Sequence, residues 1–346
     1  STEREKLIPK RAILPYFLQV KQKNEELWQS WNVTPELEER FIRSVRMKPR
    51  RTASGVATIT VITRPHTCSS NCIYCPCDLR MPKSYLANEP ACQRAELTFF
   101  DPYVQVAARL QALHQMGHST DKVELIVLGG TWSDYPEGYQ YWFIKELFRA
   151  LNDWPNSPSY IQERLDWYTS FGLQNTEEAL SSFVAEQQAA VFDDTATYNQ
   201  AFHKLYDTSQ PHQSAWSRMQ STYDELEEQQ HVNETAAARV VGLVIETRPD
   251  TITPDNLRMF RQLGCTKIQI GIQSTRQEIL DANKRQMSAA QIKRAFSLIR
   301  LYGFKIHSHL MVNLLGATPE ADKQDFKTFV TDPGFLPDEI KLYPCA

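Results

Sequence analysis

This sequence of 346 residues contains no continuous apolar stretch that approaches the roughly 20 residues a membrane-spanning helix needs. No apolar segment resembling a secretion signal opens it, and position 1 is not Met. Cysteine is scarce and odd in number, seven residues of which three are crowded together, and this excludes a regular disulfide framework. These absences predict a protein of a reducing compartment, the cytoplasm, with no membrane partner.

Charge is nearly balanced at −3, but the two signs are separated along the chain. Residues 1–52 hold twelve Lys or Arg against seven Glu, whereas residues 159–235 hold three against thirteen acidic residues. The chain is longer than a typical domain, yet barrels of alternating strands and helices reach this length as one unit. We therefore expect a basic helical arm at 1–54 and one main domain at 55–346.

The crowded cysteines lie in RPHTCSSNCIYCP, residues 64–76, directly after the apolar run TITVIT. Cys68, Cys72 and Cys75 can converge on one point while a strand holds the loop in place. Iron–sulfur clusters are ligated by cysteine thiolates, usually four. A loop that offers three leaves one iron open to a ligand from outside the protein, which indicates chemistry rather than structural stabilisation.

A structural zinc site is the alternative for these thiols. Zinc in such a site needs a fourth ligand to close its tetrahedron, and Cys77, Cys92 or His66 could supply it. In that case the chain would be a non-catalytic RNA-binding or scaffold protein.

Strand and helix patterns alternate along most of the remaining sequence. Apolar runs predict six strands, at 58–63, 123–128, 240–246, 267–272, 305–312 and 339–343. The amphipathic stretches between them predict helices, so the sheet should be parallel. Six units are too few to close an eight-stranded barrel, and we expect an α/β fold, an open and partial (β/α)6 barrel. An acidic, Gln-rich helical insertion at about 151–238 interrupts it, and its role as a lid, a docking face or a spacer stays open.

Chemistry in such a fold is placed at the carboxyl ends of the strands. Gly129 and Gly130 follow the second strand, where they let the backbone approach a ligand closely. Glu246 and Arg248 lie two residues apart on one face of the third strand, either paired with each other or in contact with a ligand. Gln273 ends the fourth strand, where its amide could bind a ribose or a carboxylate.

Three further polar residues lie on the last two strands. His307 and His309 share one face of the fifth strand without an evident acidic partner, so core histidines are the simpler interpretation. Lys341 on the sixth strand points either into the mouth of the barrel or out to solvent. We name Lys341 as the candidate catalytic residue.

The N-terminal arm combines helical patterns with a basic series. Thr34 ahead of Pro35 predicts the start of a helix. That helix leads into five cationic residues: Arg43, Arg46, Lys48, Arg50 and Arg51. Cationic side chains that displace counterions bind phosphates without sequence preference, so we expect this series to bind the phosphates of a nucleic acid; a solvated helix face is the alternative.

The cysteine spacing, with Tyr74 just before the last cysteine, resembles the signature of the radical S-adenosylmethionine superfamily. Seven ordered segments, among them VITRPH, LGGTW, IETRPD, GIQS and DEIKLYP, resemble more narrowly the catalytic subunit of Elongator in its bacterial single-protein form. The resemblance implies a [4Fe–4S] cluster on Cys68, Cys72 and Cys75. It also implies an S-adenosylmethionine site formed by Tyr74, Gly129, Gly130, Thr131, Glu246, Arg248 and Gln273.

This family makes 5-carboxymethyluridine at the wobble position of transfer RNA from S-adenosylmethionine and acetyl-CoA. In it, an adenosyl radical takes hydrogen from the acetyl methyl group, and the carbon radical adds to uridine C5. The implied activity is that of an acyltransferase, and the implied partners are the transfer RNA anticodon loop, acetyl-CoA as co-substrate and a reductant for the cluster. Whether the chain forms a homodimer is a question that the sequence leaves open.

The sequence departs from the family pattern at two places and ends early. Asn283, Lys284, Arg285 and Gln286 stand where the family has Asn-Arg-Gly-His, and the segment after His309 lacks the family's Asp and prolines. The sequence stops just after KLYPC, where an acetyltransferase-like domain is expected, so we expect a fragment that is incomplete for full turnover. Because a fold does not fix a function, a different radical enzyme, for example a methylthiolating or porphyrin-oxidising one, is the runner-up.

Overall fold

Six parallel strands form the single sheet of this protein, in a computed structural model that describes residues 8–345. The strands are β1 (Ala57–Ile62), β2 (Lys122–Leu128), β3 (Arg239–Thr247), β4 (Lys267–Gln273), β5 (Lys305–Val312) and β6 (Glu339–Pro344). Strands that are adjacent in the sheet are consecutive in the chain, and every pair is parallel. The predicted open (β/α)6 barrel is confirmed, and each strand has its predicted bounds to within one residue.

Helices connect the strands, cover the outer face of the sheet or extend from it. They are α1 (Lys10–Lys23), α2 (Glu25–Ser30), α3 (Pro35–Val45), α4 (Pro90–Leu97), α5 (Pro102–Gln115), α6 (Glu137–Asn152), α7 (Ile161–Ser170), α8 (Glu177–Phe192), α9 (Tyr198–Phe202), α10 (Gln210–Trp216), α11 (Tyr223–Asn233), α12 (Pro254–Gln262), α13 (Gln277–Ala282), α14 (Ala289–Leu301) and α15 (Pro319–Thr331). Across residues 8–345, no helix combines the length and the apolar character of a membrane span.

The two faces of the sheet differ in polarity because successive side chains of a strand alternate between them. The outward side chains pack against α5, α6, α12, α14 and α15 and form the main core; they include Ile59, Leu125, Ile245, Ile268 and Ile306. On the concave face, Lys267 Nζ lies 3.2 Å from Glu124 Oε1 and 2.7 Å from Glu339 Oε1. The inside of the half-barrel is therefore polar and charged.

His307 belongs to this concave network, and its Nδ1 lies 3.4 Å from Glu339 Oε2. The sequence interpretation that His307 has no acidic partner was therefore wrong. The partner was missed because Glu339 lies on β6, where the parallel register places it directly opposite His307.

The N-terminal arm has a small core of its own. The Thr34 hydroxyl accepts a hydrogen bond from the Leu37 N–H at 3.3 Å, so the predicted start of α3 at Pro35 is confirmed. Aromatic rings join the three helices of the arm, and Phe17 lies 4.5 Å, centroid to centroid, from Phe41. The end of α3 is tied to the end of α5 by a backbone bond of 3.1 Å from Met47 N–H to the Met116 carbonyl. Residues 1–7 of the predicted arm and Ala346 lie outside the described residues, and the division of the chain at residue 54 stays a prediction.

Candidate active site

One cavity lies at the carboxyl ends of the central strands, beneath the cysteine loop. Eight of the predicted site residues line it: Cys68, Cys72, Cys75, Gly130, Thr131, Glu246, Arg248 and Gln273. Six residues that were not predicted as site residues complete the lining: Ser70, Ser84, Thr247, Gly271, Arg285 and His309. The fold thus brings the cysteine loop together with the turn after β2 and with residues of β3, β4 and β5, which is where a parallel barrel places its chemistry.

The three cysteine thiols face this cavity and are free. Each sulfur has one hydroxyl neighbour: Ser70 Oγ at 3.0 Å from Cys72, Ser84 Oγ at 3.3 Å from Cys75, and Thr131 Oγ1 at 3.6 Å from Cys68. A hydrogen bond from the Cys75 thiol and the nearby guanidinium of Arg285 lower the pKa of Cys72, and the same bond together with burial raises the pKa of Cys75. This environment stabilises a thiolate, the form that binds metal, at Cys72.

The three candidates for a fourth zinc ligand do not line the cavity. Cys77 Sγ lies 3.5 Å from the Cys75 carbonyl oxygen, and Cys92 is buried in a separate apolar cluster. His66 Nε2 lies 2.9 Å from the Asp134 carbonyl oxygen, and burial, reinforced by the charge of Arg64, lowers the pKa of His66 to about 4. Over residues 8–345, no three His, Cys, Asp or Glu side chains surround one ion position. A cubane cluster does not require that geometry, because its irons sit at separate corners.

The glycine pair forms a tight turn after β2. Gly129 and Gly130 have φ angles of 155° and 82°. A Cβ atom on Gly129 would lie 1.6 Å from Thr63 Oγ1, and one on Gly130 would lie 3.0 Å from the Lys83 carbonyl oxygen. Close backbone packing therefore requires glycine at Gly129, and positive φ favours it at Gly130.

Glu246 is held beneath this turn. The Tyr85 hydroxyl donates to Glu246 Oε2, and the Gly129 N–H also contributes a hydrogen bond to this carboxyl group. Burial nevertheless raises the pKa of Glu246 to about 7, against the opposing effects of these donors and of Lys341. The carboxyl group can therefore hold or release a proton near neutral pH.

Replacing Glu246 with Gln is expected to change how the stability of the metal-free protein depends on pH. A folded-state pKa near 7, above the unfolded value, means that this carboxyl stabilises the fold most at low pH and loses that contribution as pH rises towards 7. The variant should show a smaller fall in thermal unfolding midpoint between acidic and neutral pH. Glu178→Gln, which removes an exposed carboxylate from α8, is the matched control and should leave the wild-type slope. Equal slopes in wild type and Glu246→Gln would contradict the raised pKa.

Arg248 pairs with Asp250, not with Glu246. Its Nε lies 2.9 Å from Asp250 Oδ1 and its Nη2 lies 2.6 Å from Asp250 Oδ2. Of the two sequence interpretations, mutual pairing of Glu246 and Arg248 was wrong, because the turn Pro249–Thr251 brings Asp250 back to the guanidinium. Both side chains remain available to a ligand in the cavity.

Four buried polar atoms of the cavity lining have no hydrogen-bond partner within the described chain. They are Gln273 Oε1, His309 Nε2, Arg248 Nη1 and Arg285 Nε. Burial lowers the pKa of His309 to about 3, with smaller effects from His307 and Lys341, so this ring is neutral. Gln273 also has a positive φ of 71°, and strained backbone clusters at functional sites. Orphaned atoms of this kind indicate a polar ligand, and the amino acid part of S-adenosylmethionine fits this donor and acceptor set.

Arg285 is a site residue that the sequence did not predict. Its Nη1 lies 2.9 Å from the Tyr74 hydroxyl and 3.5 Å from Cys72 Sγ, and its Nη2 donates to the Gly271 carbonyl. Tyr74 therefore supports the site through Arg285 and is not one of the residues that line the cavity. No sequence signal marked Arg285, which is far from the cysteine loop and lies in a segment that departs from the family pattern.

Lys341 lies outside the cavity lining. It is opposite His309 in the register of β5 and β6, on the concave face, and its side chain is exposed. Its Nζ lies 5.7 Å from the centre of the Tyr343 ring. The side chain of Lys341 is thus on the concave face and open to solvent at the same time, and its catalytic role stays a prediction.

The basic series of the arm does not form one continuous face. Arg43 pairs with Glu39 at 2.7 Å on the surface of α3. Arg46 is half-buried, with an Nε that lacks a partner among the described residues. The other three residues surround the short helical turn Pro49–Thr52 next to β1: Lys48, Arg50 and Arg51.

Two residues of the acidic insertion hold the segment that contains the cysteines through hydrogen bonds to its backbone. Asn199 Oδ1 accepts from the Cys68 N–H at 3.1 Å, and Asn199 Nδ2 donates to the Cys68 carbonyl at 2.8 Å. Likewise, Gln188 Oε1 accepts from the Leu79 N–H and Gln188 Nε2 donates to the Cys77 carbonyl, both at 2.8 Å. The insertion thus positions the loop, a role distinct from the lid, docking face and spacer considered from the sequence.

Comparison with known proteins agrees with this geometry. A family model described as the radical SAM superfamily matches residues 214–328. The tRNA uridine(34) acetyltransferase of Methanocaldococcus infernus is 34% identical over 318 residues, which cover 90% of this chain and 47% of that protein. Human Elongator complex protein 3 is 29% identical over 323 residues, with coverage of 90% and 47%. The solved structure of archaeal M. infernus Elp3 with an N-terminal deletion matches with a TM-score of 0.54 and 29% identity, over 84% of this chain and 46% of that one.

The chain therefore contains a radical SAM domain, which the family model matches over residues 214–328. The chain is homologous to the radical SAM region of the tRNA uridine(34) acetyltransferases and of Elongator complex protein 3, so the resemblance found in its motifs is confirmed. The chain spans about half the length of the curated relatives that it matches.

Proposed function

We propose that this chain is the radical S-adenosylmethionine part of an enzyme that modifies the wobble uridine of transfer RNA. The observation that carries the proposal is the single cavity in which three free thiols meet Gly130, Glu246 and Gln273 at the ends of successive strands. The printed names of its relatives, which specify uridine 34 of transfer RNA or Elongator, support the choice of substrate.

Each residue of the cavity has a role in this proposal. Cys68, Cys72 and Cys75 hold a [4Fe–4S] cluster, and the turn at Gly129 and Gly130 with Glu246 and Gln273 holds the amino acid part of S-adenosylmethionine. Arg248 and Thr131 face the same ligand, while Tyr74 acts through Arg285. When bound and reduced, the cluster and S-adenosylmethionine supply a 5′-deoxyadenosyl radical.

The finer chemistry proposed is carboxymethylation of uridine C5 with acetyl-CoA as the carbon donor, with Lys341 as the candidate catalytic residue. A base in an unpaired loop can be splayed out of its stack, so an anticodon uridine can reach a buried site. The cationic residues of the arm, Arg43, Arg46, Lys48, Arg50 and Arg51, contact the phosphates that flank that loop.

The test is an anaerobic incubation of reconstituted protein with reductant, S-adenosylmethionine, transfer RNA and deuterium-labelled acetyl-CoA. We expect 5′-deoxyadenosine to form faster when transfer RNA and acetyl-CoA are both present, and deuterium to appear in it. A rate of 5′-deoxyadenosine formation that depends on neither transfer RNA nor acetyl-CoA would contradict the proposed function. Dependence on transfer RNA without deuterium transfer would retain the RNA substrate and reject acetyl-CoA.

A further inference from the structure

A second polar pocket lies at the free edge of β1, away from the cysteine cavity. It has a volume of about 260 Å³ and is lined by Arg51, Arg94 and Arg109 together with Thr52, Thr58, Thr60 and Leu113. No carboxylate is among its lining residues. Three elements meet there, namely the turn after α3, helix α4 and helix α5, so the pocket joins the arm to the barrel.

The three arginines have no partner of opposite charge in the described part of the chain. None of them takes part in an ion pair within 4.0 Å or donates a side-chain hydrogen bond, whereas most other arginines near the barrel do, as Arg80 does with Asp78 and Arg248 with Asp250. Burial and the charge of Arg51 lower the pKa of Arg94, and burial with the charges of Arg94 and Arg51 lowers that of Arg109. Like charges held together in this way are stabilised by an anion between them.

Further donors face the same pocket. The side chain of Gln105 pairs with both the N–H and the carbonyl of Ile62, each at 2.9 Å, which shows that these groups point to the free edge of β1. Because strand residues alternate, the N–H groups of Thr60 and Thr58 point to that edge too. Thr52 is fixed by a bond of 2.8 Å between its Oγ1 and His118 Nδ1, so the turn that carries Arg51 is anchored to the barrel.

We propose that this pocket binds one phosphate group of the transfer RNA backbone. Guanidinium groups bind phosphate through paired N–H donors, and the hydroxyl and backbone N–H groups add neutral ones. A volume of about 260 Å³ suits a single phosphate with some water and is below the range of pockets that enclose a drug-sized ligand, so a whole nucleotide or a coenzyme is the poorer fit. The proposal rests on the proposed function and adds to it an anchoring point for the RNA on the barrel itself.

The test compares transfer RNA binding by wild type and by Arg94→Ala/Arg109→Ala over a series of KCl concentrations. Loss of one phosphate contact should reduce the slope of log K against log [salt] by roughly 0.7 to 0.9. The matched control is Arg258→Ala/Arg276→Ala, which removes one exposed and one half-buried arginine that each pair with a carboxylate of their own segment, Asp255 and Glu278. That variant carries the same change in net charge and should keep the wild-type slope. Arg94→Lys/Arg109→Lys should also keep the slope with weaker binding, because lysine preserves the charge but not the paired geometry.

A second measurement separates the sources of the phosphate. Inorganic phosphate should raise the thermal unfolding midpoint of wild type more than that of Arg94→Ala/Arg109→Ala, since a ligand of the folded state stabilises it. Phosphate stabilisation with an unchanged salt slope would overturn the RNA assignment and leave a site for a small phosphorylated molecule. If wild type and Arg94→Ala/Arg109→Ala are the same in both measurements, the pocket is not a phosphate site. No binding of transfer RNA by wild type would reject the proposed function, so the two failures are distinguishable.

Discussion

Replacing Cys72 with Ala is expected to remove the cluster and, with it, all formation of 5′-deoxyadenosine. The proposed site holds the cluster by three cysteine thiolates, so the loss of one leaves a [4Fe–4S] cluster with two. Anaerobically reconstituted wild type should contain about four irons and about four acid-labile sulfides per chain, and the variant close to none. Cys68→Ala and Cys75→Ala should behave alike, because all three sulfurs line one cavity.

Cys77→Ala is the matched control for this prediction. Cys77 lies two residues after Cys75, and its thiol faces a carbonyl oxygen instead of the cavity. Iron, sulfide and 5′-deoxyadenosine should therefore remain at wild-type levels. One bound zinc without sulfide in the wild type, or equal losses in Cys77→Ala and Cys72→Ala, would mean that the thiols serve a structural metal site.

The fold could be predicted because the strands carry strong local signals. The first five strands are short runs with repeated Ile, Val or Leu, and the segments between them have helical spacing; β6, EIKLYP, carries a weaker signal and is exposed throughout. Local patterns of this kind agree with the tertiary structure when one face of each element is buried, as Ile59 and Ile268 are. The alternation also marks the strand ends, which is why Gly130, Glu246 and Gln273 could be expected in one place.

Several residues that the sequence did not predict reach the site from the connections between the strands. Tyr85 lies in an irregular stretch after the cysteines, Arg285 between α13 and α14, and Asn199 at the start of a helix inside the insertion. Their contacts depend on how long connections fold back over the sheet, and spacing along the chain carries no information about that. Lys83 is the clearest case, because it is buried and donates to the Ser70 carbonyl at 2.9 Å from a loop with no recognisable pattern.

The pairing of Arg248 shows a signal that was present but misread. The sequence RPD places Asp250 two residues after Arg248, and Pro249 favours a turn that brings the two side chains together. Strand periodicity instead suggested Glu246, which shares a face with Arg248 only while the strand remains extended. The turn begins at Pro249, immediately after Arg248, so local turn chemistry prevails over strand register at this position.

Gly129→Ala is expected to destabilise the fold more than any other single methyl addition at a glycine of this protein. The new Cβ would lie 1.6 Å from Thr63 Oγ1, which is fully buried and lies 2.7 Å from the Tyr135 hydroxyl. Neither group can move without breaking that bond or displacing β1 from β2. Backbone strain of about 1–3 kcal/mol and overpacking of at least about 1–3 kcal/mol together predict a loss of roughly 3–5 kcal/mol in the free energy of unfolding. Urea denaturation measures it.

Gly55→Ala separates strain from collision in this prediction. Gly55 also has a positive φ, 80°, but no atom lies within 4 Å of its Cβ position, so its cost should be that of the backbone alone, about 1–2 kcal/mol. Thr63→Ala removes the colliding oxygen, and Gly129→Ala should therefore cost less in that background than in wild type, a coupling that a double-mutant cycle detects. Equal costs at Gly55 and Gly129 would show that the turn can relax. The glycine would then serve ligand approach alone, because the packing of Thr63 against the turn would not require it.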